Sequence, residues 1–171
     1  TEKIEDEVHR LFPDAKVLRM DADTTKGRGG HERVLGSFRR GGADILIGTQ
    51  MIVKGHDFPG VTLMGILAAD LSLNAPDHRS AERTYDLLVQ ACGRAGRGDL
   101  PGVAVIQTYR SEHYALQAAA KGSYEDFYNR EIAYRQLMGY PPRGHLLRIE
   151  VYDKRQDRSA SNAAQTCSPH C

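Results

Sequence analysis

The octapeptide QACGRAGR, residues 90–97, places two arginines three positions apart and sets a glycine before each of them. Gln90 lies four residues before Arg94, the first arginine. An apolar repeat at helical spacing predicts a helix over Arg79–Cys92, immediately before the pair. Because arginine stays protonated and binds phosphate through two donors, Arg94 and Arg97 at a helical end indicate a phosphate-facing site. A solvated helix end with glycine capping is the alternative interpretation.

Short apolar runs alternate with helical patterns along the chain. Strands are predicted over Val17–Asp21, Asp44–Gly48, Val61–Ala69 and Gly102–Thr108, and helices over Glu2–Phe12, His31–Arg40, Arg79–Cys92, Glu112–Ala120 and Tyr124–Met138. This alternation predicts βαβ units and therefore an α/β fold with a mostly parallel sheet flanked by helices. Continuous apolar runs such as Val61–Ala69 are typical of strands covered on both faces.

A polar loop follows the predicted strand Asp44–Gly48. Ligands of open α/β sheets bind beyond the carboxyl ends of the strands, which is where Thr49–Pro59 lies. The Thr49 hydroxyl and exposed N–H groups can hold a nucleic-acid phosphate without reading bases. Gly55 permits close approach of the backbone, and Asp57 can accept a hydrogen bond from a ribose hydroxyl of ATP. A strand-end cap at Thr49 and a turn residue at Asp57 are the alternative interpretations.

Composition limits the classes of function. Lys and Arg total 23 against 22 Asp and Glu, so the net charge of +1 gives no global basic field, and any DNA contact must be local. The sequence contains no run of about eighteen apolar residues, so no membrane span is predicted. Three cysteines do not make a disulfide framework, which favours a reducing cytoplasmic setting. The first residues are charged and lack a signal peptide, and we interpret the chain as part of a longer polypeptide.

Two further segments are distinctive: IGTQMIVKGHDFP at residues 47–59, and Ala69-Asp70 followed by PDHRSAER at residues 76–83. Together with residues 90–97, they resemble motifs V and VI of superfamily 2 nucleic-acid motors, and more specifically the PriA family of primosomal replication-restart helicases. The resemblance covers about residues 15–152. It implies a RecA-like (P-loop NTPase-type) C-terminal helicase lobe over residues 1–140. Residues 141–171 are then expected to hold the start of a truncated C-terminal domain and a polar tail.

The resemblance also implies an activity and partners. Members of the family are bacterial ATP-dependent 3′ to 5′ DNA motors of the cytoplasm and nucleoid. They act on forks and single strands, together with primosome and replication-restart proteins and the single-stranded DNA-binding protein. The implied site residues are Arg97 as arginine finger, Arg94 as its partner on the γ-phosphate and Gln90 in the same motif for catalysis; Asp57, Gly55, Arg94 and Arg97 for ATP; and Thr49, Gln50 and Lys54 for DNA.

Several motifs of such motors do not occur in this sequence. It contains neither a Gly-x-x-x-x-Gly-Lys-Ser/Thr phosphate loop nor an Asp-Glu-x-His magnesium motif. We therefore expect ATP and Mg²⁺ to be bound mainly by a first lobe outside this chain, and the isolated chain to be inactive. The family's zinc ligands also lie outside the chain. Cys167, His170 and Cys171 have no standard zinc spacing, so no metal site is predicted here.

Weaker signals receive structural interpretations. From the pattern alone, Lys54 and His56 are ordinary exposed loop residues. The aromatic stripe Tyr124, Phe127, Tyr128 and Ile132 is interpreted as packing on a core, although aromatic side chains also stack on single-stranded bases. The charged residues before and within the predicted third helix are interpreted as charge pairs that fix that helix, with Asp77 as a possible N-cap: Asp70, Asp77, Arg79, Glu82 and Arg83.

Two rival functions remain open. A non-catalytic DNA-binding or assembly module could keep a helicase-like fold, but it would need no arginine finger. A metabolic nucleotide-binding enzyme is a third hypothesis, and the lack of Gly-x-Gly-x-x-Gly after a first strand argues against it.

Overall fold

A computed structural model of the chain describes residues 1–21, 24, 25, 29–52, 58, 60–96 and 101–147. Within them the helices are α1 (Glu2–Leu11), α2 (Gly30–Arg39), α3 (Ser80–Cys92), α4 (Tyr114–Lys121) and α5 (Tyr124–Met138), and the strands are β1 (Val17–Met20), β2 (Ile45–Gly48), β3 (Leu63–Ile66) and β4 (Val103–Ile106). Short 3₁₀ helices, Gln50–Ile52 and Ala69–Asn74, follow β2 and β3. Each helix and strand predicted above is therefore present, with its ends shifted by at most three residues.

The strands pair in parallel, as the sequence predicts. β1 lies beside β2, with Met20 opposite Gly48, and β3 lies beside β4, with Leu63 opposite Val103. In the part of the chain that the structure describes, these are two separate two-stranded sheets. The chain enters each second strand through a helix, α2 or α3, which is the crossover that parallel strands require.

Two apolar cores cover the strand pairs. The larger one lies among α3, α4 and the start of α5, where Leu88 and Ala115 are almost fully buried and Phe127 stacks on Tyr85 with ring centroids 4.2 Å apart. The smaller one lies between β1 and α2 and consists of Met20, Leu35 and Phe58 with partly buried neighbours. Burial of these side chains from water is the main favourable contribution to the folding free energy.

The prediction that β3 is covered on both faces is wrong for the described residues. Met64 and Ile66 are partly buried, and Ile66 packs against the larger core, but Leu63 on the alternate face is 64% exposed. Val103 and Val105 on β4 are exposed on that same alternation. A continuous apolar run predicts that both faces of the strand are apolar, because successive side chains point to opposite faces. It does not predict what covers each face.

Contacts within the chain divide it into two compact units, residues 1–131 and 132–171. In the second unit, the Tyr140 N–H donates to the Arg135 carbonyl at 2.8 Å, and the Arg135 guanidinium donates to the Pro141 carbonyl at 3.3 Å. The Tyr134 and Tyr140 rings also meet edge to face at 6.3 Å. The end of α5 and the Tyr-Pro-Pro segment therefore form one local structure. The domain boundary at residue 140 stays a prediction.

Candidate nucleotide and nucleic-acid site

The arginine-bearing stretch begins on α3 and continues as a turn. Gln90 lies exposed on the last turn of α3, which ends at Cys92. The Arg94 N–H donates to the Ala91 carbonyl at 3.0 Å, and Arg94 is half-buried. Arg94 therefore lies in the turn after α3, because the helix ends at Cys92, and its role on a phosphate beside Arg97 stays a prediction.

Gly96 fixes where this turn goes. Its φ of +75° lies in the left-handed region, which glycine adopts without steric cost. Its N–H donates to the Val61 carbonyl at 2.9 Å, just before β3. A Cβ atom added at Gly96 would lie 2.5 Å from the Gly102 nitrogen, just before β4. The turn is thus held by main-chain contacts to the amino-terminal ends of both strands. Arg97, the next residue, lies outside the described residues.

Two of the predicted DNA-contacting residues lie at the carboxyl end of β2, whereas the arginine turn lies at the amino-terminal ends of β3 and β4. Thr49 and Gln50 are exposed and follow the carboxyl end of β2 directly. Gly48 is tightly enclosed there, because an added Cβ would lie 2.6 Å from the Met20 carbonyl oxygen. The chain then turns, with the Ile52 N–H donating to the Thr49 carbonyl at 3.1 Å. The first residues after β2 are therefore held by this turn and by close packing at Gly48 against the Ile52 side chain and the Met20 backbone.

Three further predicted site residues, Lys54, Gly55 and Asp57, lie outside the described residues, as do Cys167, His170 and Cys171. In the sequence, Lys54, Gly55 and Asp57 stand between β2 and β3.

The charge pairs around α3 are confirmed in part. Arg83 pairs with Asp77 at 2.7 Å, and Arg79 pairs with Glu82 at 3.0 Å. Asp77 does not cap the helix: the N-cap residue is Arg79, and the Asp77 carboxylate accepts the Arg79 N–H at 2.9 Å instead. This hydrogen bond, followed by the nearby Arg83 charge, lowers the pKa of Asp77.

Asp70 has a different role from the one predicted. It is buried after β3, and its carboxylate accepts the Thr108 hydroxyl at 2.8 Å and the Tyr109 N–H at 3.1 Å. The Thr108 hydroxyl, above all, holds the pKa of Asp70 below its usual range. Asp70 therefore ties the end of β3 to the loop after β4. The sequence shows an acidic residue at the end of an apolar strand, which marks Asp70 as a candidate. It does not identify Thr108 as the partner, because that residue lies 38 positions further along the chain.

The aromatic stripe on α5 is buried only in part. Phe127 lies in the larger core, as predicted, whereas Tyr124 and Tyr128 are exposed, with ring centroids 6.1 Å apart. Within the described ranges, no cluster of three or more His, Cys, Asp or Glu side chains is placed to hold a metal ion. Among those same residues, no helix has both the length and the apolar character needed to cross a membrane.

His113 caps α4 in a pH-sensitive way. Its Nδ1 accepts the Ala115 N–H at 3.2 Å. Burial, followed by the Arg110 charge, lowers the pKa of His113 below 6.5, while Glu131 acts in the opposite direction. Because the unfolded chain takes up the proton first, the stability contributed by this cap is complete above pH 6.5 and is lost as the pH falls towards the folded pKa.

We therefore expect acidification from about pH 7.5 to about pH 5.5 to speed amide exchange at Ala115 and to lower the melting temperature. His113→Asn keeps a capping acceptor without a titrating group and should remove this part of the pH dependence. Hydrogen exchange and thermal melts of both chains measure the effect. Parallel pH profiles for the native chain and the variant would contradict it.

The parallel strand pairs flanked by helices are those of an α/β fold, and the family match defines its class as a RecA-like helicase lobe. The chain belongs to the family of the helicase conserved C-terminal domain, whose model matches residues 1–99. The predicted fold class is thereby confirmed.

Within the helicases, the chain is similar to relatives named replication restart protein PriA. The chain is 48% identical to the Bacillus subtilis protein over 163 residues, which are 95% of this chain and 20% of that protein. It is 45% identical to the Synechocystis protein over 147 residues and 42% identical to the Treponema pallidum protein over 165 residues, which cover 18% and 25% of those proteins. The resemblance to PriA is confirmed, and the chain spans about a fifth of the length of these relatives.

Proposed function

We propose that this chain is the second motor lobe of an ATP-dependent 3′ to 5′ DNA helicase that acts in replication restart and primosome assembly. The observation that carries the proposal is the arginine turn after α3. Its Gly96 is hydrogen-bonded to Val61 and packed against Gly102, so the turn that precedes Arg97 in the sequence is held by the ends of two strands. A finger that acts on a phosphate in another lobe needs such a rigid base.

The proposed chemistry is hydrolysis of ATP in a cleft between this lobe and a first lobe. A water molecule attacks the γ-phosphorus, and ADP leaves. Arg97 stabilises the charge on the γ-phosphate oxygens, Arg94 supports it, and Gln90 lies one helical turn earlier. Asp57 and Gly55 face the nucleotide from the loop after β2. The first lobe supplies the main ATP and Mg²⁺ contacts, and zinc ligands lie elsewhere in the longer polypeptide.

The proposed DNA contacts are made at the carboxyl end of β2. Thr49 and Gln50 are exposed there on a tightly packed backbone, which suits contacts to phosphate that carry no sequence preference. Lys54 adds a positive charge in the same loop. Forks, single strands and the proteins of the primosome and of replication restart, including the single-stranded DNA-binding protein, are the proposed partners in the cytoplasm.

The isolated chain is expected to lack ATPase activity, because it carries no phosphate-binding loop. Phosphate release from ATP, measured with and without a single-stranded oligonucleotide, should equal the rate without protein. Anisotropy of a labelled oligonucleotide tests DNA binding in the same sample. DNA-stimulated turnover by the pure chain would contradict the proposed division of the site between two lobes.

A further inference from the structure

The loop after β4, residues 107–113, lies at the carboxyl edge of the β3–β4 pair, where open α/β sheets bind ligands. Four hydrogen bonds hold this loop in place. The buried Asp70 carboxylate accepts the Thr108 hydroxyl and the Tyr109 N–H, and the Thr108 hydroxyl oxygen accepts the Arg110 N–H at 2.9 Å. The His113 N–H closes the turn by donating to the Arg110 carbonyl at 2.9 Å. This loop is therefore a fixed platform.

The platform holds its aromatic side chain in solvent. Tyr109 is 87% exposed, although its backbone N–H is bonded to a buried carboxylate. An aromatic ring held in water by an ordered backbone gains no burial from the fold, so a ligand can bury it at little cost in ordering. The ring borders an open depression of about 350 Å³ that is lined by residues 109–113.

The lining of this depression is polar and includes a cation. The Arg110 guanidinium extends to the Asn74 side-chain oxygen at 3.4 Å, which holds it near the platform. Glu112 is turned towards α4, because its carboxylate accepts the Gln117 amide at 3.3 Å. The Asp70 carboxylate is buried beneath the loop. The depression therefore presents an aromatic face and a guanidinium to a ligand, beside the exposed side chains of Ser111 and Glu112.

An exposed aromatic face beside a guanidinium matches the chemistry of single-stranded nucleic acid, whose bases stack on aromatic rings and whose phosphates bind cations. An apolar protein partner fits the depression less well, because Ser111, Glu112 and His113 give it polar walls. No base-edge reading is implied, since every base has a face that can stack.

We propose that the Tyr109 platform is a second contact for single-stranded DNA, in which the Tyr109 ring stacks on a base and Arg110 binds a neighbouring phosphate. The proposal rests on the proposed function, because that function brings single-stranded DNA to the lobe. It adds a contact after β4 to those proposed after β2.

The test is binding of a fluorescent oligothymidine to the full chain, followed by anisotropy. Tyr109→Ala should weaken binding roughly 5- to 150-fold, which is the range for loss of one stacked base. Tyr109→Phe keeps the ring and should stay within about twofold of the native affinity. Arg110→Gln should also lower the slope of log affinity against log salt by about 0.7. Tyr124→Ala removes another exposed tyrosine and should leave affinity unchanged.

Two readouts separate this proposal from the proposed function. Thr49→Val reports the contact after β2 and should weaken binding whether or not Tyr109 takes part. Photocrosslinking with 5-iodouracil in the oligonucleotide should give an adduct on Tyr109 in the native chain. Normal binding by Tyr109→Ala together with no adduct would overturn the platform, even with Thr49→Val impaired. Equal losses of affinity in Tyr109→Ala and Tyr124→Ala would also overturn it, since removal of any exposed tyrosine would then have the same effect.

Discussion

Replacement of Arg97 by alanine is expected to lower DNA-stimulated ATP hydrolysis about a thousandfold or more, with DNA affinity nearly unchanged. The physical reason is selectivity for the transition state. An arginine finger meets the γ-phosphate oxygens when charge builds up on them, so its loss raises the activation barrier without removing the DNA contacts. The measurement requires the full-length helicase that carries this chain, because the isolated chain lacks the phosphate loop.

Arg97→Lys is the matched variant for this experiment. It keeps the positive charge but loses the planar pair of donors, so it should recover only a small part of the rate. Arg130→Ala removes an exposed arginine on α5 and serves as the control. Turnover by Arg97→Ala at the native rate would show that the stretch at 90–97 is not the catalytic motif. The non-catalytic DNA-binding module would then become the better hypothesis.

The sequence predicted local structure well because local structure has local causes. Apolar spacing located α3 and α5 to within a residue, and short apolar runs located β2 and β4. Parallel pairing followed from the alternation of strands and helices. The end of α3 at Cys92 was predicted as well, but the turn that follows was not, because it depends on the hydrogen bond from Gly96 to Val61.

The long-range contacts could not be read from the sequence. Gly96 meets both Val61 and Gly102 because the pairing of β3 with β4 brings together the segments before these strands, and glycine patterns do not identify such partners. Asp70 was noticed but misassigned, since its hydrogen bond to Thr108 crosses between neighbouring strand ends. Tyr109 was overlooked because one exposed aromatic residue is not a pattern. Sequence motifs thus indicated the chemistry of the candidate site. Only the fold shows which contacts hold Gly96 and Asp70 in place.

Gly96→Ala is expected to destabilise the chain by about 3 kcal/mol or more. Two costs combine at this position. A left-handed backbone costs a non-glycine residue about 1–2 kcal/mol, and the new Cβ would also lie 2.5 Å from the Gly102 nitrogen, which is main chain and cannot rotate away. Such a loss is a large share of the about 5–15 kcal/mol by which a domain is stable. Urea unfolding of the full chain measures it.

Gly122→Ala separates these two costs. Gly122 ends α4 with a φ of +67°, close to that of Gly96, but an added Cβ there meets nothing within 4 Å. It should therefore cost only the backbone term of about 1–2 kcal/mol. The additional destabilisation by Gly96→Ala, relative to Gly122→Ala, measures how tightly the arginine turn is packed against the strand ends. Gly96→Ala should also lower ATP hydrolysis in the full-length helicase where the variant remains folded. The added methyl group shifts the turn, and Arg97 moves with it. Equal destabilisation by the two variants would mean that the turn can retreat from Gly102, and that Arg97 is not rigidly supported.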